Sequence, residues 1–360
     1  MIKNKIFICL TPFNTLYVQE IVKQQREEGI EGKFLLFTRS TQGVTEELWD
    51  QISYLNPYEK SNNNDLNYYK KMILDAKKLY RVVSEIINFG SETEIYFSNL
   101  DSLYTNYLFF KNKKDKKISF HSIQDGTMNI VSRKVNYAMF KRQIIKSFYA
   151  MFLGFRFIPF IGCLNGIDRK EMQSQILLFI PKTHSSKTNL IHFEKVESSS
   201  KIKEISREPY SLLLGAEPLL ELIDQKSYYS ILRGLITRIR RDFPYLETLY
   251  YKPHPFHNPQ SKNKTFEYIK SHIPNLKIIE LNGQETVETL DFRKLNIKAL
   301  YSINSSASVN LKLLNKDLLE LVRIAGLDII YKNKQELNNF KMFYRSLGIS
   351  VINEEGEIEQ

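Results

Sequence analysis

A chain of 360 residues is too long for one small module and, at roughly 150 residues per domain, predicts two domains. With 42% hydrophobic and 12% aromatic residues it can fill a core in each half, which excludes a mainly disordered chain. The 51 Lys and Arg against 40 Asp and Glu leave a net charge of +11, which suits a polyanion, an anionic membrane surface or a phosphorylated substrate.

In chain order, Ile6 to Leu10 is a β-rich apolar run ending at Thr11-Pro12, after which Leu16, Ile21 and Val22 recur at helical spacing. Lys33 to Phe37 reads as a strand, Asn67 to Ile87 as a long amphipathic helix, Glu94 to Ser98 as a strand and Leu103 to Phe110 as a helix. Ile118 to Ile123 is a further strand, closed by Asp125-Gly126. Alternating strands and helices predict a parallel sheet covered on both faces, with ligand groups on the loops at the carboxyl ends of its strands.

From Pro181 to Pro209 the sequence turns polar, with Thr183-His184-Ser185-Ser186 and Ser198-Ser199-Ser200, which places the domain boundary there. The expected division is residues 1–190, a linker over 191–204, and residues 205–360. The second half restarts with Leu212-Leu213-Leu214-Gly215, a helix near Ser227 to Arg241, and the strand Thr248 to Tyr251. Leu276 to Glu280 and Ala299 to Ile303 read as two more strands, each followed by a loop and a helix. The expected fold class is α/β of GT-B type: two Rossmann-like domains facing across a cleft, an architecture that leaves function to the site.

Cys9 and Cys163 are the only cysteines and lie in apolar stretches, so no disulfide framework or thiolate zinc site is expected, and a reducing cytoplasm fits. The run Ile6 to Leu10 is too short for a signal segment. Phe148 to Ile161, broken by Arg156 and Pro159, falls short of the ~20 residues a spanning helix needs.

His254 sits between Pro253 and Pro255 directly after a strand, where the prolines restrict the backbone. An imidazole there can donate to a phosphate oxygen and protonate a leaving group near neutrality, with Lys252 as a second phosphate partner; the ordinary alternative is a proline-rich surface turn. Ser305-Ser306, between a strand and the helical stretch Val309 to Leu314, would bring hydroxyls and N–H groups together at a helix N-terminus, the ordinary alternative being a plain serine cap. Asp125, in Gln124-Asp125-Gly126-Thr127, and Glu217, in Leu214-Gly215-Ala216-Glu217-Pro218, are strand-end carboxylates able to act as a base toward an acceptor hydroxyl. Thr11, Asn14, Gly126, Thr127 and Gly215, in loops at strand ends, complete the substrate-binding candidates.

Arg133 to Phe157 mixes cations and aromatics (Lys134, Phe140, Lys141, Arg142, Lys146, Phe148, Tyr149, Phe152, Phe155, Arg156). Such a run can lie on an anionic membrane, form a buried helix with solvated cations, or face nucleic acid. The chain lacks a P-loop, HExxH, GxSxG, CxxC and a DxD triad, so no metal is expected at the site. It also lacks any recognisable nucleic-acid motif, and a nucleic-acid partner is not expected.

Taken in order, Phe7-Ile8-Cys9-Leu10-Thr11-Pro12, Asp125-Gly126-Thr127 with Asn129-Ile130, Lys252-Pro253-His254-Pro255 and Ser305-Ser306 resemble the bacterial sialyltransferases of glycosyltransferase family 52, the lipooligosaccharide sialyltransferase group. The resemblance spans nearly the whole chain. It implies an inverting transfer of N-acetylneuraminic acid from CMP-N-acetylneuraminic acid (CMP-Neu5Ac) to a terminal sugar of a glycan or glycolipid. It also implies that His254 contacts the CMP phosphate and assists its departure and that Ser305 and Ser306 bind the same phosphate. Sialyltransferases of this kind commonly carry two acidic residues before the Gly of the first motif. Gln124 replaces the first here, leaving Asp125 as the matching acid and Glu217 as the candidate from position. The destination would be lipooligosaccharide or capsule, made by a cytoplasmic enzyme peripheral to the inner membrane. A second copy could dock on the helix Asn67 to Ile87, and a hexosyltransferase using a UDP-sugar is the alternative.

Overall fold

The computed structural model describes residues 3–41, 43–55, 66–89, 91–126, 133–178, 188–190, 210–217, 219, 223–254, 258–282, 286–331 and 333–359. The chain divides into two compact units, Met1–Glu194 and Lys195–Gln360. The expected linker 191–204 lies outside the described residues.

The first unit holds β1 (Asn4–Cys9), α1 (Pro12–Glu27), β2 (Lys33–Thr38), β3 (Gln51–Tyr54), α2 (Leu66–Asn88), β4 (Thr93–Phe97), α3 (Leu103–Asn112), β5 (Ile118–Ile123), α4 (Tyr137–Phe152), β6 (Met172–Leu177) and β7 (Thr188–Leu190). Its seven strands are ordered β3-β2-β1-β4-β5-β6-β7 and every pairing is parallel. Side chains alternate across a strand, and here both faces are covered. Ile6, Ile8, Phe37, Phe97 and Phe120 pack in one core with α2, α3 and Ala150 of α4, while Phe7, Cys9, Phe34 and Leu36 pack on α1 residues and Trp49 in the other. The basic and aromatic run is therefore a helix, α4, followed by a return segment through Phe155, Phe157 and Phe160, whose rings enter the first core.

The second unit holds β8 (Tyr210–Leu214), α5 (Gln225–Asp242), β9 (Thr248–Lys252), α6 (Pro259–His272), β10 (Lys277–Glu280), β11 (Ile297–Ile303), α7 (Ala307–Leu314), β12 (Leu321–Ala325), α8 (Leu327–Ile330), α9 (Lys334–Ser346) and β13 (Ser350–Ile352). Its six strands run β10-β9-β8-β11-β12-β13, again all parallel. The amphipathic α5 lays Tyr228, Ile231, Leu232, Leu235, Ile236 and Ile239 on one sheet face. The helix expected after Leu276 to Glu280 is, among the described residues, a single 3-10 turn, Val287–Thr289.

Asp242 ends α5 and ties it to the sheet. Its carboxylate accepts from Tyr301 Oη at 2.8 Å and Arg323 Nε at 3.3 Å, and pairs with Arg238. Burial alone would raise this carboxyl, but the hydrogen bonds from Arg238 and Tyr301 and the charge of Arg323 outweigh it and hold it below its usual value. Its stabilisation is thus present above the unfolded aspartate value and is lost as pH falls through the lower folded value. Asp242→Asn should cost about 3 kcal/mol by stranding two guanidinium groups, read as a lowered midpoint of urea unfolding. An unchanged midpoint would show that the network adds nothing to stability.

Candidate active site

In the second unit the strand order reverses at β8, which lies between β9 and β11. Open α/β sheets bind ligands at such switch points, outside the carboxyl ends of the strands. Three loops meet this description: Gly215 to Glu217 after β8, Pro253-His254 after β9, and Asn304 to Ser306 after β11.

Glu217 is 1% exposed. Its Oε1 accepts from the Tyr251 hydroxyl at 2.7 Å and its Oε2 accepts from the backbone N–H of His254 at 3.1 Å. A buried carboxylate is tolerable only when hydrogen-bonded, and this one is held by donors from the neighbouring strand and loop. Gly215 makes room for it: a Cβ there would sit 2.6 Å from both Glu217 Oε2 and Tyr251 Oη, and the Gly215 N–H donates to the Lys252 carbonyl at 2.8 Å. With both oxygens engaged and almost no exposed surface, Glu217 works as a clamp that fastens the first loop to the loop carrying His254.

Lys252, the last residue of β9, is buried, and its charge acts on Glu288 in the turn before β11. Burial raises the Glu288 carboxyl, against the Asn310 amide, which donates to its Oε1 at 3.0 Å, and the Lys252 charge. Asn304 adopts φ +40°, a left-handed conformation asparagine tolerates, and so turns the chain sharply from β11 into α7. Ser305 and Ser306 follow, both half-buried. Ser306 is already helical at φ −63° and ψ −26°, and its hydroxyl makes no capping bond. The plain serine cap is thus absent, and the hydroxyl stays uncommitted to the helix whose N-terminus favours anions.

In the first unit the order reverses between β1 and β4. Thr11 caps α1, its Oγ1 accepting the Asn14 N–H at 3.2 Å, with Pro12 opening the helix. Asn14 is fully buried and its Nδ2 donates to the Gln124 carbonyl at 2.8 Å, joining the start of α1 to the end of β5. Ser98, just after β4, donates to Asp125 Oδ2 at 3.4 Å. Gly126 adopts φ +62° and turns the chain directly after Asp125, a conformation most residues avoid. Burial raises the Asp125 carboxyl above its usual value, partly offset by hydrogen bonds from Ser98 and Asn14. Cys9 is buried beside this carboxylate, and both effects hold its thiol protonated.

The structure thus gathers His254, Lys252, Gly215, Glu217, Ser305 and Ser306 at one switch point and Asp125, Asn14, Thr11 and Gly126 at the other. Thr127, Asn129, Ile130 and Pro255 lie outside the described residues. Sequence reasoning missed Ser98, Tyr251, Glu288 and Asn310. A polar residue closing the apolar strand β4 marks Ser98, whereas the other three have no local signal. Among the described residues no three His, Cys, Asp or Glu side chains converge as metal ligands, and no helix is long and apolar enough to cross a membrane.

Among solved structures the chain is similar to the 2,6-sialyltransferase of Photobacterium sp. JT-ISH-224, determined with CMP and lactose. The TM-score is 0.53 at 12% identity, over 98% of this chain and 78% of that one. It is similar also to a UDP-N-acetylglucosamine 2-epimerase assigned to Listeria monocytogenes, with TM-score 0.52 and 10% identity over 98% and 85% of the two chains. Identities this low bear on the fold alone. A search of curated proteins returns no match. Residues 51–316 match glycosyltransferase family 52, about three quarters of the length, and the span includes Asp125, Glu217, His254, Ser305 and Ser306. The chain belongs to glycosyltransferase family 52, the family of the sialyltransferases its motifs resemble: it is a glycosyltransferase of the α/β GT-B fold.

Proposed function

We propose that the protein is an inverting sialyltransferase that moves N-acetylneuraminic acid from CMP-Neu5Ac to a terminal sugar, galactose in the first instance, of lipooligosaccharide or a capsular glycan. One observation carries the reading: at the second unit's switch point a clamped His254, a buried Lys252 and an uncapped Ser306 before α7 make a strand-end site for a phosphate monoester. CMP leaves as an anion. Cationic and N–H donors fixed in advance stabilise the charge that develops on it, a task a metal ion performs elsewhere. The transfer breaks the bond between the sugar's anomeric carbon and the phosphate oxygen, and His254 donates to that phosphate as it departs. The acceptor hydroxyl attacks the anomeric carbon and gives its proton to Asp125, whose raised pKa makes it a stronger base than an ordinary aspartate. The acceptor would be met at the inner face of the cytoplasmic membrane, where lipid-linked glycans are built.

Purified protein incubated with CMP-Neu5Ac and a lactose-terminated acceptor, with a chelator present, should yield an acceptor heavier by one sialic acid in mass spectrometry. CMP at about a hundredfold its Kd should stabilise the fold by about 2.7 kcal/mol, seen as a raised melting temperature. No transfer, together with a thermal shift from UDP and none from CMP, would replace this reading by a hexosyltransferase using a UDP-sugar.

A further inference from the structure

Asp125 is half-buried, so its carboxylate can meet a substrate, while two groups that donate to it stand behind it: Asn14 is 0% exposed and Ser98 3%. Ser98 Oγ donates to Asp125 Oδ2 at 3.4 Å. The Asn14 amide hydrogen-bonds the Asp125 carboxylate and, at 2.8 Å, the Gln124 carbonyl. The chain just before the carboxylate is fixed from the other side as well, since Gln124 Oε1 accepts the Leu178 N–H at 2.9 Å. Among the described residues the titratable group beside the carboxylate is Cys9 of β1, whose burial and acidic neighbour keep the thiol protonated. The start of α1 brings the neutral Asn14, and the loop after β4 the neutral Ser98.

The loop that carries Ser98 is anchored by other groups. Leu100 N–H donates to the Leu164 carbonyl at 2.7 Å, Asn99 Oδ1 accepts the Asp101 N–H at 2.7 Å, and the Asn106 amide donates to the Leu100 carbonyl at 3.1 Å. The Ser98 hydroxyl is therefore spare to the loop and available to the carboxylate. Asn14 carries a cost, because its Oδ1 is buried without a hydrogen-bond partner among the described residues. An apolar side chain would fill the same space without that penalty. What the amide supplies in return is donation to Asp125 and to the residue before it.

We propose that Ser98 and Asn14 are positioning residues that aim the Asp125 carboxylate at the acceptor hydroxyl from beneath, without touching the sugar themselves. This rests on the reading of Asp125 as the base. In Ser98→Ala the acid limb of kcat/KM should move up by about one pH unit, because a hydrogen bond to the charged carboxylate lowers its pKa and the loss of that bond raises it. Above the limb kcat should fall about tenfold with KM within about twofold, since the base loses its aim while sugar binding is kept. Asn14→Asp, which keeps the shape and exchanges a donor for a second carboxyl, should move the limb further up. Urea unfolding reads the same contact without turnover. The loss of midpoint caused by Ser98→Ala should grow as pH rises through the limb, because the contact is made to the charged form, and should lose that pH dependence in an Asp125→Asn background. An unmoved limb in Ser98→Ala, or a midpoint loss equal at every pH, with Asp125→Asn still slow, would leave Asp125 as the base and overturn the roles of Ser98 and Asn14. Transfer at the wild-type rate in Asp125→Asn would overturn the base and its two supports together.

Discussion

Replacing His254 by Ala is expected to slow sialyl transfer by about 10²- to 10³-fold, the usual loss when one fixed donor to a developing anion is removed. The melting temperature should stay near that of wild type. The reason is local: the loop is held through the His254 backbone N–H, which the substitution keeps, and through Glu217 and Tyr251, which it does not touch. On the proposed mechanism, the loss of the imidazole is expected to fall on the departure of CMP. A wild-type rate in this variant would end the assignment of His254 to the phosphate. Glu217→Gln is the complementary change, because it leaves the imidazole and weakens the clamp. It should lower both the rate and the melting temperature, whereas a rate loss without any thermal loss would return Glu217 to the list of groups that touch substrate.

Asp125→Asn should cost about 10²- to 10⁴-fold in rate, the range for removing a positioned general base. Its pH behaviour distinguishes the role from a structural one. Burial disfavours the charged carboxylate, so the group binds its proton more tightly folded than unfolded and lowers stability as pH rises between the two values. Activity needs the charged form and is lost as pH falls through the raised value. The acid limb of kcat/KM should thus lie above the ordinary aspartate value of about 3.9 and disappear in the Asn variant. The same variant should melt no lower than wild type above that limb, since it removes a carboxylate that is costly to ionise. A large fall in melting temperature at neutral pH would mark Asp125 as a structural residue instead.

Central strands were legible because parallel strands buried on both faces are continuous apolar runs, as in Phe34 to Phe37 and Leu212 to Leu214. The strands not read are those where that signal fails. β6 carries Gln173, Ser174 and Gln175, yet Gln175 is fully buried and Ser174 bonds His121 at 2.8 Å. β12 hides Arg323 behind its pairing with Asp242, while β3, β7 and β13 are short edge or near-edge strands. In the candidate site, position after an apolar strand is what singles out Asp125, His254 and Ser305. It also singles out Glu217 but could not show its surroundings, because the two donors that bond to it lie 34 and 37 residues further on and meet it only through the sheet. Glu288 and Asn310 are 22 residues apart and become neighbours by the same route.

Because every described strand pairing in both sheets is parallel, all the candidate chemistry gathers at one end of each sheet and the opposite end is left to connections. The turn between α5 and β9, where Tyr245 is 94% exposed, lies at that opposite end. Such a turn is a natural point of attachment: a fluorophore, an affinity tag or a tether to a solid support placed there would stand a full strand length from the loop of His254, and would allow the enzyme to be immobilised or followed with that loop unobstructed.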